Sequence, residues 1–133
     1  MTGRTRQCPE IVRAARLKKA IEFHDAAVLV EDVAPNAAVD LLVDAGIAAA
    51  DAICCSRLGA HAAGESHNEA IALLEKAEPK VAKHLRALLN LKSKVAYTHH
   101  PVTTDDHRKA NRAASNLVEA ARRIAQPATG KGG

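Results

Sequence analysis

The sequence predicts an all-α protein, an up-and-down bundle of about five helices, and three observations predict it. Apolar residues recur at three- and four-residue spacing through most of the chain. Hydrophobic residues make up 47%, but aromatics only 2%, so the core must be built from Ala, Leu, Ile and Val. An alanine-heavy core suits closely packed helices, because Ala has the best helix propensity and the smallest side chain to hold two axes apart. No segment carries the alternating, β-branched pattern of a strand. At 133 residues the chain is one domain long. It divides into a flexible basic N-terminus (1–8), a helical bundle (9–125) and a disordered tail (126–133).

Pro9 opens a first helix whose stripe is Leu17, Ile21, His24 and Val28, ending near Ala34 before Pro35. His24 is expected at the core edge with one hydrogen bond. Asn36 is the expected cap of a second, long helix. Its run Ala45-Gly46-Ile47-Ala48-Ala49-Ala50 has so little bulk that a partner helix can approach closely, from this chain or a second copy. Glycine is expected to stop it around Ala63-Gly64. Ser66 with Glu69 forms a capping box for a short third helix with Ala70, Ile71, Leu74 and Ala77 inward. Pro79 begins a fourth, with Val81, His84/Leu85, Leu88, Leu91/Lys92 and Val95 on its stripe, stopped before Pro101. Thr103 or Thr104 caps a fifth, with Asp105 and Asp106 in its first turn and Ala110, Ala113/Ala114, Leu117, Ala121 and Ile124 as its apolar face.

Charge and composition narrow the function classes. With two aromatic residues, Phe23 and Tyr97, the chain cannot stack bases as single-strand platforms do. The net charge of +4 is uneven. Residues 1–20 carry six basic residues against Glu10, residues 21–60 seven acids against Arg57, and residues 61–133 twelve basic residues against seven acids. Basic ends of this kind can meet phosphate or simply be solvated. Cys8, Cys54 and Cys55 are odd in number and badly spaced for a disulfide framework, so a reducing compartment and a cytoplasmic location are expected. The start has no apolar segment for a signal peptide, and Asp44 and Asp51 interrupt the longest apolar stretch.

Seven histidines raise the question of a metal. There is no His-x-x-x-His or Cys-x-x-Cys spacing, so neither a metal nor a cofactor is expected. The densest cluster of reactive side chains is Lys92-Ser93-Lys94-Val95-Ala96-Tyr97-Thr98-His99-His100. Histidine exchanges protons near neutral pH, and a neighbouring lysine can stabilise a phosphate anion. The bland reading is a helix C-terminus decorated with cations, which its dipole favours.

The order of features resembles the HEPN domain family, the higher eukaryotes and prokaryotes nucleotide-binding domains. The resemblance lies in AGIAAADAICCSRLG, GESHNEAIALL, LRALLNLKSKVAY and DHRKANRAASNLVEAARR, over about residues 10–125. Gly64 and His67 stand where members have a glycine and histidine opening the third helix. The resemblance implies an up-and-down bundle, usually a homodimer with an interfacial cleft. Active members are metal-independent ribonucleases using an arginine separated from a histidine by four to six residues. Many are toxins or defence effectors paired with a nucleotidyltransferase. Here lysine fills the arginine slot, as Lys92 or Lys94 ahead of His99, and lysine lacks the bidentate fork.

Three readings follow. The first is a HEPN-like domain that dimerises and binds RNA, a nucleotide or a partner protein, with a degraded nuclease motif. Its phosphate-binding candidates are Arg57, His67, His100, Arg108 and Arg112. The second is an active ribonuclease using Lys92 or Lys94, Tyr97 and His99. The third is a basic DNA-binding protein that presents His107, Arg108, Asn111 and Arg112 from its last helix.

Overall fold

The computed structural model of the chain describes residues 4–64, 66–96 and 99–126. In order these form β1 (Thr5–Gln7), α1 (Glu10–Val30), α2 (Pro35–Leu58), β2 (Ala60–Ala62), α3 (His67–Ala77), α4 (Ala82–Ala96) and α5 (Thr104–Ala125). The helical bundle is as expected; a two-stranded ribbon is added to it.

The bundle is arranged around α2, which packs against α1, α3, α4, α5 and β2. Thirteen of its 24 residues are buried, and seven of those are Ala or Gly; between its ends only the face of Asp40 and Asp44 stays exposed. A helix so widely apolar lies mostly inside a protein. A Cβ on Gly46 would collide with Leu88 Cδ1 of α4 and lie 3.3 Å from Leu117 Cδ1 of α5. Ala45, Gly46, Ala48, Ala49 and Ala50 are all buried within this chain, so their flat surface is not open to a second copy.

Several boundaries differ from expectation for local reasons. α1 ends at Val30, and Ala34 N–H closes onto the Val30 carbonyl at 2.8 Å. Its buried line is Arg13, Leu17, Ala20 and Ala27; Ile21 is half-buried and Val28 half-exposed. Alanines replace the larger residues there because α1 lies close on α2. His24 Nε2 meets Ser115 Oγ of α5 at 3.0 Å, the core-edge hydrogen bond expected of it. Asn36 is not the cap of α2. Pro35 takes the first position, and the Asn36 side-chain Oδ1 instead accepts from the Val102 N–H at 2.9 Å, tying α2 to the segment before α5.

α2 stops at Leu58, earlier than Gly64, because Gly59 adopts φ +72° and its N–H bonds to the Cys55 carbonyl. The reversed chain then runs as β2, antiparallel to β1, with Arg6 opposite His61. Cys8 N–H donates to the Gly59 carbonyl at 2.9 Å, which sets Cys8 beside the last turn of α2. There it is disulfide-bonded to Cys55, with Cα atoms 5.4 Å apart. This overturns the expectation of no disulfide and removes the cysteine argument for a reducing compartment. It also corrects the reading of residues 4–8 as flexible, since the ribbon and the disulfide hold them. Cys54 points into the core as a free thiol, and burial pushes it up to about 12, so it is inert as a nucleophile.

The Ser66 and Thr103 caps form, the first by one half of the expected capping box. Ser66 Oγ accepts from Glu69 N–H at 3.2 Å. Thr103 and Asp106 make a reciprocal capping box on α5. Pro79–Val81 is a 3₁₀ turn that leads into α4. No described helix is long and apolar enough to cross a membrane.

Two outcomes test this packing. Gly46→Val is expected to cost about 1–3 kcal/mol by overpacking the α2–α4 contact, read from the shift in urea midpoint. Cys8→Ser is expected to cost up to about 4 kcal/mol, because the closed loop separates residues 47 apart in sequence. Reduction of the wild type should match the variant.

Candidate functional site

The cationic segment 92–100 does not act as one unit. Positions two apart on a helix do not share a face, so Lys92 and Lys94 point to different surroundings. Lys94 Nζ reaches Asp106 Oδ1 at 3.0 Å. Asp106 is buried; its Oδ2 accepts from Thr103 N–H at 3.1 Å and its own N–H donates to Thr103 Oγ1 at 3.0 Å. The Thr103 backbone bond, then Lys94, hold the Asp106 carboxyl below its ordinary range. Lys94 therefore anchors the end of α4 to the cap of α5 and is occupied. His99 and His100 are exposed in the bend after α4, and Tyr97 lies outside the described residues.

Lys92 faces elsewhere. It lines a cleft of about 260 Å³ together with Gly64, Ser66 and His67. The floor is apolar, from Ile47, Leu85 and Leu89. Three chain segments build it. α4 supplies Lys92, and the Ser66 cap sets where α3 begins and hence where His67 stands. Gly64 lies in the link from β2; a Cβ there would come within 3.9 Å of the Glu69 carboxylate. Two residues assigned separate roles from sequence, His67 and Lys92, thus share one concavity. Ser66 and His67, at the N-terminus of α3, line it, and a helix N-terminus favours an anion.

The remaining candidates serve the fold or stand apart. Arg57 donates to the Ala77 carbonyl at 3.3 Å and pairs with Glu78 at 3.7 Å, joining α2 to the end of α3. Arg108 lies 3.5 Å from Asp105 on its own helix. Arg112 is exposed, and its carbonyl accepts from Asn116 Nδ2 at 2.8 Å. His107 meets Glu31 at 3.3 Å. These contacts spread the four away from the cleft. Among the described residues no group of three His, Cys, Asp or Glu is arranged to hold a metal ion.

Sequence reasoning missed Arg6, Arg16 and His61, which line a second, larger cleft beside the ribbon. Only the left-handed Gly59, directly after the apolar run, could have announced the reversal that brings them together.

The two lysines are separable by experiment. Lys94→Ala is expected to lower stability by about 0.5–1 kcal/mol, whereas Lys92→Ala leaves it unchanged. Asp106 has a folded pKa below its unfolded one, so its contribution is present above the ordinary carboxylate pKa and is lost as pH falls through the lowered value. Asp106→Asn should therefore flatten the decline in thermal midpoint seen in the wild type below about pH 4.

Comparison with protein-family models, with curated protein sequences and with solved structures gave no match.

Proposed function

We propose that this chain is a HEPN-like helical binding module. It takes a phosphate-bearing ligand, an RNA or a nucleotide, in the cleft between β2, α3 and α4, and its nuclease motif has lapsed. One observation carries the reading: His67 and Lys92, from separate helices, line the same cleft at the N-terminus of α3. A cation, an imidazole and a helix N-terminus converging on one cavity suit a phosphate group. Lys94, the other candidate for the arginine slot, is engaged by Asp106, which counts against a working catalytic pair with His99. The charged groups of α5 are also partly engaged, by Glu31 and Asp105, which does not favour a duplex-reading helix.

Dimerisation is part of the proposal, on a different surface from the alanine run. Ile11, Leu29 and Val33, in and just after α1, are 76%, 83% and 83% exposed. In an antiparallel two-fold pairing of the exposed face of α1, with its axis at the level of the buried Ala20, Ile11 falls opposite Leu29 of a second copy and Lys18 opposite Glu22. The ends are then apolar and the middle is charge-complementary. Leu29→Asp is expected to convert a dimer to monomer in light scattering, and a monomeric wild type at high concentration would overturn this part.

Binding is tested with a 5′-phosphorylated RNA oligonucleotide in EDTA. The RNA should remain intact and bind in a salt-dependent manner, with affinity lowered severalfold by Lys92→Ala or His67→Ala. Unchanged binding in both variants would overturn the site. Cleavage that is lost in His99→Ala would replace the binding reading with the ribonuclease one.

A further inference from the structure

The second cleft has a volume of about 730 Å³ and is lined by Arg6 of β1, Arg16 of α1 and His61 of β2. Arg6 and His61 are direct partners across the antiparallel pair, so their side chains leave the same face of the ribbon with Cβ atoms about 5 Å apart. His61 is 95% buried by its neighbours, being only 5% exposed. Its Nδ1 lies 2.8 Å from the Ala62 carbonyl. A carbonyl only accepts, so Nδ1 carries a hydrogen and Nε2 is left for another partner.

The acid nearby does not neutralise the group. Asp51 of α2 pairs with Arg16 at 3.7 Å. Burial pushes the Asp51 carboxyl up, and His61, Arg16 and Lys19 pull it back. Among the described residues Arg6 has no ion-pair partner, and the Asp51 carboxylate pairs with Arg16, not with Arg6. Two guanidinium groups and an imidazole arriving from three separate elements match the spread of oxygens on a tetrahedral dianion better than the plane of a carboxylate. The cavity is also within the 300–1,000 Å³ range of small-molecule sites, larger than a bare phosphate needs. Val12 offers an apolar wall for the remainder of a ligand.

We propose that Arg6, Arg16 and His61 form a binding site for the phosphate monoester of a small organic molecule, separate from the cleft at His67 and Lys92. The phosphate sits between Arg6 and His61, which face each other across the ribbon, and the Arg6 guanidinium supplies its counter-charge. Arg16 closes the third side while it keeps its contact with Asp51. The site exists only in the folded chain, since Gly59 and the Cys8–Cys55 disulfide hold β1 against β2.

The test is titration of the full, oxidised chain followed by ¹H–¹⁵N NMR, with ribose 5-phosphate, inorganic phosphate and ribose as the three probes. Ribose 5-phosphate is expected to shift the amides of Arg6, His61 and Ala62 saturably and to bind more tightly than inorganic phosphate, with ribose silent. Arg6→Ala, a change at an exposed strand residue, should weaken binding about tenfold or more; Arg6→Lys should restore part of it. Lys92→Ala and His67→Ala should leave it unchanged, which separates this site from the proposed RNA cleft. No saturable shift at Arg6 and His61, or wild-type affinity in Arg6→Ala, would overturn the site. Equal affinity for inorganic phosphate and ribose 5-phosphate would overturn the monoester and leave a free-oxyanion site in its place.

Discussion

The contact between Gly46 and Leu88 sets the geometry of the molecule. α2 is buried on every face except that of Asp40 and Asp44, and neighbours close in on it where its own side chains take little room. At Gly46 the backbone of α2 comes against the Leu88 and Leu117 side chains, so α4 and α5 close over it at once. At this contact α4 and α5 supply the leucines, and α2 meets them with Gly46 and its neighbouring alanines. This close packing explains how a chain with almost no aromatic residues fills its core: Leu42, Ile53, Leu74, Leu85, Leu88 and Leu117 are the large side chains that are fully buried.

The position of α4 follows from that contact, and the chemistry of the cationic segment follows from the position of α4. Leu85, Leu88, Leu89 and Leu91 face inward, which fixes the rotation of the helix. Lys92 is thereby turned towards α3 and the cleft, and Lys94 towards the cap of α5. One lysine becomes part of a ligand-sized concavity and the other part of a structural ion pair. Rotation by two residues separates their roles, although in sequence they look equivalent.

The ribbon is a second device built on the same helix. Gly59 ends α2 in the left-handed conformation, the chain doubles back, and three residues of β2 find three of β1. Three-residue strands are too short to persist alone. The Cys8–Cys55 bond fastens this pairing to the buried helix, and in doing so it carries Arg6 across from His61. The basic stretch 4–20 is in this way folded onto the body of the bundle, where Arg6 and Arg16 meet in one cleft.

The helices, their inward faces and most of their caps were legible in the sequence, because each depends on residues three or four apart. The Ser66 and Thr103 caps, the leucine stripe of α4 and the alanine face of α5 are local patterns with local causes. His24 was also placed correctly, at the core edge with one hydrogen bond. The errors arose wherever a distant residue intervened. Asn36 was free to cap α2 but bonds to Val102 instead, 66 residues away. Cys8 and Cys55 carry no spacing that announces a bond, and only the reversal at Gly59 brings them within reach. His67 and Lys92 were each noticed as separate candidates, and their meeting in one cleft depends on how α3 and α4 pack. The sequence by itself determined which segments are helical and which faces are apolar, since both are set by short-range periodicity. Only the tertiary structure decided which polar residues share a site, since that depends on helix rotation and chain reversal against a common, close-packed core.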